Sequence, residues 1–175
     1  MTATRSIALR DVVTALDAEL RTLDIPDFPG AVNGLQVAND GDVTRVAVAV
    51  DASLAAVSEA AAQKADLLIV HHGLFWSGAQ PIVGVTHQKY RALLEHNVAV
   101  YSTHLPLDAH PTLGNNVLLA EALGLTPSRG FGRFKTLDIA VAGDSDIESE
   151  TLVARAIEFS ARYGGSVRTS VPTDG

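Results

Sequence analysis

The sequence contains no cysteine among its 175 residues. This absence excludes a disulfide framework, a thiolate zinc site and an iron–sulfur cluster, so any bound metal must have nitrogen and oxygen ligands. Charged residues are only 19%, and the formal net charge of −7 provides no basic face for phosphate-driven nucleic-acid binding. No apolar run is long enough for a membrane span or a signal peptide. We therefore expect a cytoplasmic protein whose partners are neither nucleic acids nor membranes.

Hydrophobic residues make up 47% of the chain, which is enough to build a sizeable core. Apolar positions between Leu9 and Leu20 recur at helical spacing and predict an amphipathic helix. Pro26, Pro29 and Gly30 then interrupt the pattern and predict a loop that carries the segment 33–36.

Short apolar runs alternate with predicted helices in the middle of the chain. The runs are Val46–Val50, Asp66–Val70 and Val98–Tyr101, and the helices are Ser53–Lys64, Gln88–Glu95 and Asn115–Leu123. Ser53 is a suitable N-cap, and Gly124 a suitable helix end. This alternation is typical of βαβ units. It predicts an α/β fold, a layered α-β-α domain with a mostly parallel sheet over residues 1–126.

The remaining residues, 127–175, predict the start of a second lobe. Arg129–Arg133 is interpreted as a connector, Leu137–Val141 as a strand, Ser145–Glu148 as a capping box that opens a helix to Tyr163, and Val167–Val171 as the start of another strand. The turn-like residues 172–175 follow directly. We expect this lobe to be incomplete, and the chain to be a fragment or to have lost a C-terminal half.

Polar side chains follow each of the three apolar runs. Asp51 follows the first run, His71 and His72 end the second, and His104 follows the third, with Asp108 four residues later. In open α/β sheets the functional crevice lies beyond the carboxyl ends of the strands. If the three strands are parallel neighbours, these side chains reach the same edge of the sheet.

Imidazole and carboxylate groups together suit Zn²⁺, Fe²⁺ or Mn²⁺. Successive strand residues face opposite ways, so His71 and His72 are expected to flank two metals, with Asp108 as a bridging carboxylate. Metals about 3.5–4 Å apart can share a water and lower its pKa. The alternative stays open, because a histidine at a strand end is often structural and Asp51 is more readily a helix cap than a ligand.

The other chemistry-bearing residues are given structural interpretations. His87, His96 and His110 are predicted at the surface or in structural roles, with His110 kept as a weak candidate beside the site. Phe75 and Trp76 are predicted to fill an apolar gap rather than to stack on a substrate.

Four motifs of the chain resemble those of a known family in order and spacing. They are Asn33–Gln36, His71–Gly73, Tyr101–Asp108, and Gly114–Asn116 with Leu123–Leu125. On these motifs, over about residues 7–142, the chain resembles the YbgI-like, or Nif-three-like, dinuclear metal-centre family, whose members are described as GTP cyclohydrolase I type 2 homologues.

The resemblance implies an α/β fold like the first lobe of the YbgI-like fold and assigns His71, His72, His104 and Asp108 as metal ligands. It also implies a homo-oligomer, commonly a hexameric ring. Family members continue into a second half, in which a further histidine and glutamate complete the site, and no such pair follows Asp108 here. We therefore expect divalent ions (Zn, Fe or Mn), up to two per subunit if the site is completed.

The function expected from residues and resemblance together is that of a metal-dependent hydrolase on a nucleotide-like or other small-molecule substrate. No catalytic residue is assigned. The alternative is a non-catalytic metal-binding or oligomeric assembly protein, which the missing ligand pair favours. A plain α/β nucleotide-binding domain without metal is a third, weaker interpretation, since no glycine-rich loop follows the first strand.

Overall fold

The computed structural model describes residues 6–170. The chain divides into two compact units, residues 1–107 and 108–175. The first unit contains β1 (Ile7–Ala8), α1 (Leu9–Leu20), β2 (Gly34–Val37), β3 (Asp42–Val43), β4 (Val46–Asp51), α2 (Leu54–Ala62), β5 (Leu67–His72), α3 (Gly84–Glu95) and β6 (Ala99–Ser102). A short helix, α4 (Leu105–Asp108), straddles the division, and the second unit contains α5 (Asn115–Ala122), β7 (Thr126–Phe134), β8 (Leu137–Asp144) and α6 (Ser149–Arg162). The boundary predicted at residue 126, between the layered α-β-α domain and the start of a second lobe, stays a prediction.

A four-stranded sheet with the order β2-β6-β5-β4 is the centre of the first unit. The three strands predicted from the apolar runs are neighbours and parallel, and β2 is added antiparallel to β6. The α/β class and the mostly parallel sheet are confirmed. The strand β2 lies where the sequence predicted a loop. Its first residue, Gly34, has a φ of 102°, a left-handed conformation that favours glycine.

The two faces of the sheet are covered by different helices. On one face Leu68, Val70 and Val100 pack with the Ala-rich helix α2 and with Leu93 of α3. On the other face Leu67, Ala99 and Tyr101 pack with α1, through its buried residues Leu9 and Leu20 and partly buried residues between them. Alternating side chains of each strand therefore serve two cores, as expected for the central strands of a layered α-β-α unit.

The predicted helix ends are confirmed for α2 and α5. Ser53 Oγ accepts a hydrogen bond from the backbone N–H of Ala56 at 3.1 Å, so it is the N-cap of α2. Gly124 has a φ of 77° just beyond α5, which is the left-handed conformation that commonly ends helices. The helix α3 begins at Gly84, four residues earlier than the sequence predicted.

The second unit corrects three predictions. Residues 129–133 are part of the strand β7, which pairs antiparallel with β8, and are not a connector. The glycines of this segment suggested a loop, but glycine also permits close pairing of strands. A Cβ on Gly130 would lie only 2.8 Å from the Cβ of Asp138.

The capping box predicted at Ser145 does not form. Ser145 Oγ accepts from the N–H of Ile147 in a local turn, and α6 begins only at Ser149. Residues 167–170 carry no strand, and Val171 and the turn after it lie outside the described residues. Within residues 6–170, no helix is long and apolar enough to cross a membrane.

A buried hydroxyl connects α1 to the sheet. The side chain of Tyr101 is fully buried, and its hydroxyl donates to Asp17 Oδ1 at 2.7 Å. Because that hydroxyl has one hydrogen, Thr22 Oγ1, at 2.8 Å, must be the donor in the second bond. Burial raises the pKa of Tyr101 above its ordinary value; the hydrogen bond from Thr22 opposes this shift and Asp17 reinforces it. The phenol therefore stays neutral and acts as donor and acceptor.

We predict that Tyr101→Phe lowers the free energy of unfolding by about 1–3 kcal/mol, because it leaves the buried hydroxyl of Thr22 without its acceptor. Chemical denaturation measures the change. Tyr163→Phe is the matched control, since the side chain of Tyr163 is 77% exposed. Equal stability of the two variants would contradict a supporting role for the buried network.

Candidate metal centre

The parallel register brings the polar residues of three strands to one edge of the sheet. Asp51 at the end of β4 pairs with His72 at the end of β5, and Val70 pairs with Ser102 at the end of β6. His104 follows two residues after that strand. The structure therefore places His71, His72 and His104 together at the carboxyl edge, where the strand order predicted them.

The three imidazole rings converge. The ring centroids are 4.6 Å apart for His71 and His72, 4.9 Å for His71 and His104, and 5.5 Å for His72 and His104. One nitrogen of each ring lies within 4.8 Å of the others. Two nitrogens bound to one tetrahedral zinc lie about 3.4 Å apart, given Zn–N bonds of 2.0–2.1 Å. Small side-chain rotations therefore suffice for a shared cation, and the successive histidines do not diverge as strand alternation alone suggested.

Each imidazole ring is oriented by a hydrogen bond at its Nδ1 atom. Nδ1 of His71 lies 3.0 Å from the carbonyl oxygen of Thr103. Nδ1 of His72 lies 2.7 Å from Asp51 Oδ1, and Nδ1 of His104 lies 2.9 Å from Asp27 Oδ1. Carbonyl and carboxylate oxygens only accept hydrogen bonds, so Nδ1 carries a hydrogen in each ring, and in the neutral form of the ring it is the only nitrogen that does. The lone pair that a metal requires is then on Nε2. This donor set fits a divalent cation with nitrogen ligands.

Asp51 has a different role from the one predicted for it. Ser53, not Asp51, caps α2. The carboxylate of Asp51 instead orients His72 from the neighbouring strand, with 63% of its side chain exposed. Carboxylates in this position fix the tautomer of a metal-binding histidine and increase its basicity.

Asp27 is a residue of the candidate site that sequence reasoning missed. It belongs to a proline-rich loop and reaches His104 across 77 positions of the chain. Burial alone would raise the pKa of Asp27. Hydrogen bonds from Asn33 and His104, and from the backbone N–H groups of Leu105 and Phe28, outweigh burial and lower the pKa below its ordinary value. The group is thus a carboxylate at neutral pH.

The motif Asn33–Gln36 was recognised in the sequence, and the structure shows its physical purpose. Gln36 donates from Nε2 to the carbonyl oxygens of Ala31 and Val32, and its Oε1 accepts from the N–H of Leu74 at 2.7 Å. It therefore joins the proline-rich loop to the segment that follows the histidine pair. Glycine at position 73 leaves room for this amide, because a Cβ there would overlap the side-chain amide of Gln36 unless it moved from its hydrogen-bonding partners.

An open cleft of about 560 Å³ adjoins the histidines and is lined by Phe28, Asp51, His72, Trp76 and His104. Trp76 meets His104 edge-on, with ring centroids 4.7 Å apart, and meets His72 at 5.5 Å. It is therefore a wall of the site rather than a gap filler. Among the described residues, two buried polar atoms lack a partner, Trp76 Nε1 and Thr103 Oγ1. Phe75 lines separate hollows.

The fourth predicted ligand, Asp108, ends α4 and belongs to the second unit. Its Oδ1 accepts from Asn115 Nδ2 at 2.8 Å. Its role as a ligand stays a prediction.

The three remaining histidines have the structural or surface positions that were predicted. His87 and His96 are exposed. His110 is buried, and its Nδ1 accepts from the N–H of Leu113 at 3.0 Å. It therefore stabilises the turn before α5.

Fold and site together define an α/β protein with a three-histidine cluster at the carboxyl edge of its sheet. The chain belongs to the Duf34/NIF3 (NGG1p interacting factor 3) family, whose model matches residues 7–169. The family expected from the sequence motifs is thereby confirmed.

Curated relatives carry the description "GTP cyclohydrolase 1 type 2 homolog". The protein from Pyrococcus abyssi is 41% identical over 134 residues, which are 77% of this chain and 53% of the relative. The protein from Treponema pallidum is 46% identical over 114 residues, which are 65% of this chain and 40% of the relative. The chain thus spans about half the length of the curated relatives it matches.

Two solved structures have a similar fold. A Thermus thermophilus protein superposes with a TM-score of 0.80 at 34% identity, over 89% of this chain and 62% of that protein. The structural-genomics protein ybgI, described as being of unknown function, superposes with a TM-score of 0.77 at 34% identity, over 90% of this chain and 61% of that protein. These likenesses agree with the layered α/β fold.

We predict that Gly73→Ala destabilises the protein by about 1–3 kcal/mol, because the added methyl group overpacks against Gln36. Thermal or chemical denaturation measures this change. The double variant Gly73→Ala/Gln36→Ala removes the obstacle, so its loss should be smaller than the sum of the two single losses. Strict additivity would show that the clash is not the cause.

Proposed function

We propose that the chain binds divalent metal through Nε2 of His71, His72 and His104. The observation that carries the proposal is the orientation of the three rings, each fixed through Nδ1 by an acceptor so that one nitrogen per ring gathers within 4.8 Å. Structural histidines rarely share this arrangement, whereas it is usual for metal ligands, which donate their second ring N–H to a carboxylate or carbonyl.

The ligand set leaves room for further ligands. Three protein ligands with an open position are typical of catalytic zinc sites, whereas closed structural sites have four. We propose Asp108 as an additional ligand on the basis of the family resemblance. Occupancy by two ions, and assembly into a homo-oligomer such as a hexameric ring, are proposals of the same kind. Zn²⁺, Fe²⁺ and Mn²⁺ all suit imidazole and carboxylate ligands.

We further propose that the site belongs to a hydrolase acting on a nucleotide-like or other small-molecule substrate. A bound divalent ion supplies Lewis-acid chemistry and lowers the pKa of water. The chain itself supplies the cleft beside the histidines, with a volume suited to a small molecule. Phe28 and Trp76 form its apolar walls. Asp51 brings a carboxylate to its margin, where hydrogen bonding to His72 fixes its position. The relatives' description as GTP cyclohydrolase homologues makes GTP the first substrate to test.

The second candidate function is metal binding without catalysis, in an assembly protein. The observation that favours it is the small number of ligands, since the part of the chain that the structure describes brings together three histidines. Metal binding without turnover across a broad panel of nucleotides would support this candidate over the hydrolase.

We predict that the wild-type chain binds Zn²⁺ or Mn²⁺ in isothermal titration calorimetry. Alanine at His71, His72 or His104 should weaken binding by more than the roughly 10–100-fold that loss of an outer partner costs, because a ligand itself is removed. His96→Ala is the matched control, since His96 is exposed and outside the cluster. Absence of binding by the wild type, or equal binding by all variants, would exclude the proposed site.

For the hydrolase, we predict GTP turnover that requires added Zn²⁺, Mn²⁺ or Fe²⁺ and is lost in His72→Ala. Product formation is followed by chromatography, with His96→Ala as the control. Equal rates for wild type and His72→Ala would contradict the proposed hydrolase.

A further inference from the structure

The buried carboxylate of Asp27 is the most enclosed acidic group beside the three histidines. Its side chain is 7% exposed, against 63% for Asp51. Oδ1 accepts from the N–H of Phe28 at 2.7 Å and from His104 Nδ1 at 2.9 Å. Oδ2 accepts from Asn33 Nδ2 at 2.8 Å and from the N–H of Leu105 at 2.9 Å. Both oxygens are thus held in fixed directions, which a loop carboxylate in solvent would not be.

Asn33 completes this arrangement from the other side. Its Nδ2 donates to Asp27, and its Oδ1 accepts from the backbone N–H of His104 at 2.8 Å. The ring and the backbone of His104 are therefore both attached to the loop of residues 27–33. By contrast, His72 is oriented by the single, exposed carboxylate of Asp51.

We propose that Asp27, supported by Asn33, is the positioning residue of the metal centre, which keeps the hydrogen of His104 on Nδ1 and directs Nε2 toward the metal. Asp51 has the same relation to His72 but a weaker effect, because a solvent-exposed partner is easily replaced by water. The inference rests on the proposed metal binding and deepens it. It makes the loop of residues 27–33 part of the site although it supplies no ligand.

The substitution Asp27→Asn shows why the carboxylate is needed. The asparagine is nearly isosteric, but its NH₂ group must replace one of the two oxygens. If NH₂ faces Asn33 and Leu105, it meets two donors. If it faces His104, it also meets the N–H of Phe28, and the ring is satisfied only when its hydrogen moves to Nε2, which removes the lone pair from the metal side. Either outcome disturbs His104, and the second blocks it as a ligand.

The test compares three single variants of the full chain, Asp27→Asn, Asp51→Asn and Asp66→Asn. Asp66 is the matched control, because it also accepts several hydrogen bonds, from Thr44 and Arg45, but lies at the opposite end of β5 from the histidines. Zn²⁺ affinity is measured by competition with a chromophoric chelator. We expect a loss of about 10–100-fold for Asp27→Asn, a loss of less than about tenfold for Asp51→Asn, and no change for Asp66→Asn.

The second readout needs no metal. Long-range ¹H–¹⁵N NMR spectra of the metal-free protein at about pH 8, well above the ordinary pKa of a free imidazole, report which ring nitrogen carries the hydrogen. We expect Nδ1–H for His104 in the wild type and an increased Nε2–H population in Asp27→Asn. The double variant Asp27→Asn/Asn33→Asp provides an acceptor for the new NH₂ group, so it should restore Nδ1–H and recover part of the Zn²⁺ affinity.

Three results would overturn the proposal. The first is a wild-type His104 with its hydrogen on Nε2, which decides the question even if Asp27→Asn fails to fold. The second is unchanged Zn²⁺ affinity in Asp27→Asn, or an equal loss in Asp66→Asn. The third is a loss in Asp27→Asn with the His104 tautomer unchanged and with no recovery of Zn²⁺ affinity in Asp27→Asn/Asn33→Asp. A wild type that binds no metal would instead contradict the proposed metal binding. The tautomer of His104 could still be measured in that case, because its measurement uses the metal-free protein.

Discussion

The hydrogen bond at Nδ1 of each histidine ring is the interaction on which the candidate site depends. An imidazole on a strand end can rotate, and only a fixed acceptor at Nδ1 determines which way Nε2 points. Two of these acceptors come from the neighbouring parallel strands, since Asp51 ends β4 and Thr103 follows β6. The in-register pairing of β4, β5 and β6 therefore positions the hydrogen-bond acceptors of two histidines as well as forming the sheet.

The third acceptor, Asp27, comes from outside the parallel strands and gives the site its asymmetry. His71 and His72 are adjacent in sequence and are held by the sheet. His104 lies beyond the strand and is held by a loop that begins 77 residues earlier. Gln36 and Asn33 fix this loop against the segments after β5 and β6, respectively. The antiparallel strand β2 carries Gln36 and so connects the loop to the same sheet. Loop and sheet therefore both hold the histidine cluster, as a preorganised site requires.

Membership in the Duf34/NIF3 family agrees with this arrangement, and the structure also explains the shared motif residues in physical terms. Gly73 gives space to Gln36, and Asn33 bridges a carboxylate to the backbone of His104. The edge-on packing of Trp76 against His72 and His104 places an aromatic wall beside the site.

The sequence by itself determined the alternation of strands and helices and the sheet edge at which the histidines meet. The alternation follows from local periodicity. The shared edge follows once the parallel strands are neighbours, because their carboxyl ends then lie together. It also identified Ser53 as a cap, because capping is a contact between near neighbours. The connector predicted at residues 129–133 was wrong, because glycines that permit close strand pairing are also common in loops.

Only the tertiary structure decided that Asp51 orients His72, that Asp27 orients His104 and that Trp76 faces the site. Each of these contacts joins residues that no local pattern relates, and the geometry of a hydrogen bond between distant segments depends on how the whole unit packs. The sequence thus predicted which residue types form the site, whereas the fold determines the directions in which the histidine nitrogen atoms point.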